Sequence, residues 1–585
     1  MNIPSRKIKG ELRRTQIVTT MGPGAIVDLK NASVIISGID KWFDEEDKEK
    51  IEESKFYNIR LQKMLGMDYF LMPPHAMNKN KKNNNYTYDI LAYRFPKWYY
   101  CDACKKLAPY QEFEIENGRL LCSCKGFKKE VIPSRFVVAC EKGHISDFPY
   151  REWAHGGPTT CNKPLKILSD KQTGELKSIH IKCECGKSNH MGNTFSKIFE
   201  WPCSGEKPWL GDVKEDCTQN VTTLQRSSTS VYFPITLTSI LIPPWSKEIN
   251  NEIERNWEVI EIAKEPFLKL FSKKYDITEE EVARQIELVQ NEKEGEELTF
   301  EDLIQDEYRA LKNKNNDENF VTDAEPVPEF MKKYIKQIVL VKKLTETIVQ
   351  VGFKRVNPEY ELNEEKTYTR LSGKIGQNWL PGVVQKGEGI FIEWNEEAIK
   401  QWEENPKVQA RYKKIIERKE EGYIKSLRKS CTPRTILLHT ISHSLIRELT
   451  FACGYSTTSL KERIYSSYEG ENAIPMAGTL IYTSSGDSDG SLGGLVRQGK
   501  TKNMEQILKR AIESVAWCSS DPLCSQTEGS GYKNLNLAAC HACLLLPETS
   551  CELRNVLLDR ASIRGTLEDV EIGFLKEFYQ NEIRE

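Results

Sequence analysis

Residues 517–560 read WCSSDPLCSQTEGSGYKNLNLAACHACLLLPETSCELRNVLLDR, and the rest of the chain is best understood outward from them. The stretch carries Cys518, Cys524, Cys540, Cys543 and Cys551. Cys540-His-Ala-Cys543 is a CxxC pair, the spacing that lets two thiolates of one turn meet a single tetrahedral Zn²⁺. Cys524 and Cys551 are expected to complete a four-thiolate site, with Cys518 as the spare. The alternative is a redox CxxC beside buried free thiols. A closed four-cysteine site leaves no position open for substrate, so it predicts a structural metal.

Composition bounds what this metal site belongs to. A chain of 585 residues exceeds what one hydrophobic core supports, and about three to four domains are expected. Charged residues make up 29% and the net charge is −2. That balance excludes a uniformly basic coat and confines any nucleic-acid contact to local patches. No apolar run approaches the roughly 18 residues a membrane span requires. The opening MNIPSRKIKGELRRTQ lacks the apolar core of a signal peptide, which predicts a cytoplasmic protein. In a reducing compartment 17 cysteines read as metal ligands and not as disulfides.

Residues 1–94 form the first expected region, rich in short strands. Gly22-Pro23-Gly24 is a turn leading into AIVDL, followed by SVIISGI at 33–39. Residues 78–86 read as a polar loop. Residues 95–220 form the second region, a set of small β modules held by zinc where an apolar core alone is marginal. Cys101-Asp-Ala-Cys104 and Cys122-Ser-Cys124 flank strand-like sequence in the manner of a zinc ribbon. Cys183-Glu-Cys185-Gly, Cys203 and Cys217 supply another set of four. Between them, Cys140, His144, His155 and Cys161 read either as a further site of loose spacing or as buried, hydrogen-bonded side chains. Trp98, Tyr99, Tyr100, Trp153, Trp201 and Trp209 enrich the region in rings. Basic and aromatic residues interleave at Lys125-Gly-Phe-Lys-Lys129 and at Arg135-Phe136, a mix that suits base stacking beside phosphate pairing.

Residues 221–374 form a connector and a charged block expected to be helical from 246 to 350. Thr278-Glu-Glu-Glu281 predicts a capping box, backed by a stripe of Val282, Ile286 and Val289. Residues 375–585 form an α/β C-terminal domain. GEGIFIEW (387–394) alternates as a strand and residues 395–422 follow as helix. Pro433 opens a helix with Leu438, Ile441, Leu445 and Leu449 on its buried face. His439 and His443 are one turn apart on it, a spacing that can hold a metal, although no Glu stands between them as a base. GTLIYT (478–483) is a strand that runs into a Gly/Asp/Ser loop.

Gly494-Leu-Val-Arg-Gln-Gly499-Lys500-Thr501 satisfies the GxxxxGK[ST] pattern of a nucleotide loop. That loop must leave a buried strand directly so that its amides cradle phosphate. Here the preceding strand ends near Thr483, and no downstream strand offers an acidic Mg²⁺ partner, so the pattern is read as chance.

HTISHSLIREL (439–449), GTLIYTSSGDSDGSLGGL (478–495) and the CHAC…C tail together resemble the helicase-associated domain of MrfA-type superfamily 2 DNA helicases. RRTQIVTTMGPGAIVDL (13–29) and CEKGHISDFPYREW (140–153) are similar to the stand-alone carriers of that domain in DISARM anti-phage systems. The resemblance implies a non-catalytic subunit that joins a separate superfamily 2 helicase, DrmA, on DNA with single-stranded ends, in antiviral defence. It carries no role onto Lys500 and names no DNA-contacting residue. Taken together, the chain is expected to be a multidomain α+β accessory protein with two to four structural Zn²⁺ ions. Two rivals remain at this stage. One is an enzyme, either an ATPase using Lys500 or a metal-dependent nuclease using Asp487, Asp489 and His439 or His443. The other is a scaffold that touches only protein.

Overall fold

The computed structural model describes residues 10–30, 32–43, 48–74, 90–116, 118–124, 126–169, 175–195, 200–362, 364–418, 430–466, 474–485, 493–566 and 568–578. They form two compact units that interleave along the chain. The first takes Met1–Lys55, Phe70–Leu237 and Val349–Val383; the second takes Phe56–Tyr69, Thr238–Ile348 and Val384–Glu585. The division expected from sequence, at 94, 220 and 374, runs linearly, whereas each of these units gathers three separated segments. Helix and strand are mixed throughout, as an α+β multidomain protein requires.

The first unit is a set of small antiparallel sheets. Ile26–Leu29 pairs with Ala32–Ile36 just after the Gly22-Pro23-Gly24 turn, where Gly24 sits at φ 84. A six-stranded sheet contains Trp98–Tyr100, Lys106–Pro109, Leu165–Ser169 and Ile179–Cys183. Phe136–Ala139 pairs on one side with Ile145–Asp147 and on the other with Thr222–Gln225. Arg355, fully buried, ties this unit at a point the sequence did not signal. Its Nε donates to Gly143 O (2.9 Å) and its Nη2 to Gly24 O (2.7 Å), while Nη1 donates to Val231 O at 2.5 Å. Its guanidinium also lies over the rings of Phe353 and Trp209, 4.7 and 5.4 Å from their centroids.

The second unit is organised by the helix Pro433–Cys453, entered by Pro433 with the Thr432 hydroxyl accepting from the Thr435 N–H. Leu438, Ile441, Leu445 and Leu449 are buried, and so is every residue from Pro433 to Ile446. A helix apolar on one stripe only faces a single layer; this one is enclosed. It packs on the strands Leu460–Ser466 and Ala477–Ser485 and on the helix Thr501–Ser514. Those strands extend an antiparallel sheet in which Ile390 pairs with Ile481 and Leu460 with Thr483.

The charged block is helical only to Lys312, and Ile335–Lys354 is a strand. Its sequence IKQIVLVKKLTETIVQVGFK is rich in β-branched residues, which favour a pleated surface. The charges that suggested a helix are absorbed: buried Glu346 accepts from Lys461 Nζ (2.8 Å) and Tyr482 OH (2.7 Å). Thr278 caps the helix Glu279–Glu294 by accepting from Glu281 N–H, with Val282, Ile286 and Val289 buried behind it. The Glu281 carboxylate turns instead to Lys247 and Arg284. The reciprocal box forms one helix later, between Thr299 and Asp302. No helix among the described residues is long and apolar enough to cross a membrane.

Candidate metal centres

A tetrahedral zinc ion with sulfurs at about 2.3 Å sets those sulfurs about 3.8 Å apart. Among the described residues, four groups dominated by cysteine bring their ligand atoms to within 4.8 Å of one another. In the first, Cys101 Sγ is 3.6 Å from Cys124 Sγ, and Cys104 Sγ is 3.7 Å from Cys122 Sγ. Cys101 and Cys104 come from a tight turn completed by Lys105 at φ 64. Cys122 and Cys124 lie on the strand Arg119–Cys124, where alternate residues share a face, so CxC delivers two sulfurs to one side. Burial raises the Cys101 thiol, but the Cys104 and Ala103 N–H groups and the thiols of Cys124 and Cys104 outweigh it and bring it to about 7. A thiol so placed reaches its ligating form readily.

The second group is Cys140, His144, Cys203 and Cys217. His144 Nδ1 stands 3.3 Å from Cys140 Sγ and 3.5 Å from Cys203 Sγ, and its Nε2 lies 2.7 Å from Glu215 Oε1. The carboxylate accepts a hydrogen bond from Nε2–H and so leaves the Nδ1 lone pair facing the sulfurs, the outer-sphere arrangement of a metal-ligating histidine. Gly143, at φ 87, forms the knuckle, and a Cβ there would run into the Thr369 hydroxyl. The third group is His155, Cys161, Cys183 and Cys185. Cys161 and Cys183 sulfurs are 3.7 Å apart, and His155 Nε2 is 3.2 Å from Cys185 Sγ. His155 Nδ1 donates to Arg151 O at 2.7 Å, so Nε2 is the free nitrogen. The fourth group is Cys518, Cys524, Cys540 and Cys543, with sulfur separations of 3.4 Å (Cys518–Cys540) and 3.8 Å (Cys524–Cys543 and Cys540–Cys543).

The structure corrects how these ligands are partitioned. Cys183 and Cys185 do not share a group with Cys203 and Cys217; the two pairs exchange partners with Cys140–His144 and His155–Cys161. Strand register is the cause. Leu165 pairs with Cys183, which brings Cys161 alongside, and Ala139 pairs with Thr222, which brings Cys140 toward Cys217. A short hairpin of Glu206–Lys207 on Val213–Lys214 draws Cys203 and Cys217 together. Cys518 is not a spare, and Cys551 is not the fourth thiolate of the tail. Cys551 lies with His439, His443 and Glu462.

Comparison with known proteins was decisive for kinship. The chain is 32% identical over 581 residues to the DISARM protein DrmB of Bacillus paralicheniformis, spanning 94% of this chain and 100% of that protein. The chain belongs to the DrmB family. Two family models also match this DrmB-family chain: a domain of unknown function, DUF8724, over residues 13–233, and the MrfA Zn-binding domain over residues 441–544. The second includes Cys518, Cys524, Cys540 and Cys543 but not His439 or Cys551. A crystal structure of the DUF1998 helicase MrfA bound to DNA is similar at a TM-score of 0.17 and 15% identity, covering 35% of this chain and 22% of that one. That similarity is too slight to transfer any structural statement.

The two sites considered for enzymatic chemistry in this DrmB-family chain fare differently. Gly494–Gln498 is a short helix and Thr501–Ser514 another, so the GxxxxGK[ST] pattern is wound up and not an open loop. Glu388 accepts from the Gly493 and Leu495 N–H groups at 2.6 and 2.7 Å, where a phosphate would otherwise bind. Glu325 accepts from Lys500 Nζ and from the Thr501 hydroxyl at 3.0 and 2.8 Å. Carboxylates at both halves repel a nucleotide. Asp487 and Asp489 lie outside the described residues. In the basic-aromatic stretch, Phe127 is 74% exposed and Phe136 only 1%, so Phe127 presents a free ring and Phe136 is core.

Proposed function

We propose that this chain is the accessory subunit of a DISARM antiviral system, non-catalytic in itself, which associates with a superfamily 2 DNA helicase and helps it engage DNA with a single-stranded portion. The end-to-end correspondence with DrmB carries this reading. The chemistry of the thiolate groups supports it. Each closes a four-ligand sphere of sulfur and imidazole, the donor set of structural Zn²⁺, and a closed sphere supplies folding free energy in place of an open Lewis-acid position.

DNA engagement by a chain of net charge −2 must be local. The hairpin Arg119–Cys124/Phe127–Glu130 suits it, since Phe127 stands exposed with Lys129 on the same face of the strand, while Lys128 is held by Glu114 and Glu116. An exposed ring with a lysine on the same face can stack on an unpaired base while that cation meets phosphate.

The test is ATP turnover and binding of a duplex with a single-stranded tail, for the chain alone, for its helicase partner alone and for the mixture. The expected result is a chain inert toward ATP that tightens DNA binding or raises turnover in the mixture. ATP hydrolysis or DNA cleavage by the isolated chain would overturn the proposal. Phe127→Ala is expected to weaken binding of the tailed duplex by about 5- to 100-fold, from a stacking contribution of about 1–3 kcal/mol per base, with plain duplex binding unchanged.

A further inference from the structure

His439, His443, Glu462 and Cys551 form a fifth group, chemically unlike the other four. His439 and His443 stand one turn apart on the helix Pro433–Cys453, with ring centroids 4.4 Å apart. Glu462 comes from the strand Leu460–Ser466, and Cys551 from the segment after the CxxC turn. Both histidines are 0% exposed, Glu462 4% and Cys551 7%. His439 Nε2 lies 3.1 Å from Glu462 Oε1 and 3.2 Å from Cys551 Sγ, and His443 Nε2 lies 3.4 Å from Glu462 Oε1.

The outer contacts fix what the inner atoms can do. His443 Nδ1 is 2.9 Å from Leu544 O, and His439 Nδ1 is 3.3 Å from Leu557 O. A carbonyl only accepts, so each Nδ1 carries the proton and each Nε2 turns a lone pair inward. Cys551 Sγ accepts from the Asn555 N–H and Glu462 Oε1 from the Glu552 N–H, each at 3.1 Å. Both contacts favour the thiolate and the carboxylate. Two imidazole nitrogens, a carboxylate and a sulfur therefore converge from three segments of chain, with neither inward nitrogen carrying a proton. Two of the inner atoms, His443 Nε2 and Glu462 Oε2, are buried without a hydrogen-bond partner among the described residues. Orphaned polar atoms at the centre of a dry core are costly and rare.

We infer that these four side chains bind a divalent metal ion, Zn²⁺ by the softness and number of the ligands, as a buried centre separate from the four-cysteine site of the tail. The ion would meet two neutral imidazole nitrogens, one carboxylate oxygen and one thiolate, and its double positive charge would cancel the two negative ligands. A closed set of four borderline donors suits tetrahedral Zn²⁺ better than Mg²⁺ or Ca²⁺, which take more and harder oxygens. The two centres are joined through the backbone: the carbonyl that orients His443 belongs to Leu544, the residue directly after the ligand Cys543. The inference is independent of the accessory role, since a metal here holds a core together whatever the chain does.

Two experiments on the full chain test it. X-ray data collected at the zinc absorption edge are expected to place an anomalous peak about 2.3 Å from Cys551 Sγ. Peaks at the cysteine groups with none here would overturn the inference, and peaks nowhere would overturn it together with the zinc reading of the other groups. Native mass spectrometry of the folded Cys551→Ser and His443→Gln variants is expected to show one Zn²⁺ fewer per chain than wild type. A folded variant that keeps the wild-type count would also overturn it. Should both variants fail to fold, the anomalous map on the wild-type chain decides alone.

Discussion

The first unit divides its apolar residues among several small clusters, whereas the second gathers most of its own around the helix Pro433–Cys453. In the ribbon module the cluster is Tyr99, Cys101, Ala108, Phe113, Leu120, Cys122 and Val131, so two sulfurs of the candidate metal group are a large part of a small core. In the second unit Cys518, Cys524, Cys543 and Cys551 belong to a far larger cluster with Ile436, Leu437, Leu438, Leu445, Ile464 and many more. The same ligand chemistry thus does two jobs. Where little apolar area is buried, a metal would stand in for a core; where much is buried, it would add to one that the apolar residues already make.

Metal removal should break this symmetry most strongly. A tight chelator is expected to strip hydrogen-exchange protection from residues 98–190 first, since structural zinc contributes about 10–16 kcal/mol in modules that depend on it. Protection of residues 433–446 should outlast it. Loss of protection there first would mean that the second unit also rests on its metals.

Ion-pair breakage gives the next largest effect, and it should stay in one unit. Glu307 and Arg463 are both buried, with Nε–Oε2 and Nη2–Oε1 distances of 2.7 and 2.9 Å. Glu307→Ala leaves the guanidinium unpaired and is expected to cost about 3–5 kcal/mol, read as lost exchange protection in the strands Leu460–Ser466 and Ala477–Ser485. In the first unit Arg355→Lys keeps the charge but cannot serve Gly24, Gly143 and Val231 at once. It is expected to cost about 2–3 kcal/mol, because buried carbonyls lose their donors. The loss should concentrate around the Cys140–His144 knuckle. A uniform effect across both units would contradict their separate description.

Lys500→Ala should do least. Lys500 is half exposed and its pair with Glu325 is worth about 0.5 kcal/mol or less. Stability by urea titration should hardly move, and neither should the effect of the chain on helicase turnover. A large fall in turnover would reopen the nucleotide reading of Gly499-Lys500-Thr501.

Much of this was legible in the sequence where spacing acts locally. CxxC and CxC place sulfurs together within one turn or on one strand face, so Cys101, Cys104, Cys122 and Cys124 were grouped as the structure groups them. Pro433, the helical stripe behind it and the GTLIYT strand were equally local. Long-range register was not. Whether Cys183 meets Cys161 or Cys203 depends on which strands pair, and nothing in C-x-C spacing records that. Glu462 was missed because a single carboxylate in a strand carries no spacing signal, and the Ile335–Lys354 strand because its charges find buried partners only once folded. The pairing of Cys551 with the histidines was hidden by a nearer candidate, the CxxC beside it.

The contact between His439 and Cys551 spans 112 residues of chain. On a ribosome adding about 5–20 residues per second, the helix is made roughly 6–22 s before that thiol. Through this interval the helix can already pack on the strands Leu460–Ser466 and Ala477–Ser485 and on the helix Thr501–Ser514, while His439 still lacks its sulfur neighbour. A chain that stops before residue 551 has the helix and the strands packed on it but not the fourth side chain of the group His439, His443, Glu462 and Cys551. The tail thus adds the last member to a group whose other three side chains the helix and its neighbouring strand have already supplied.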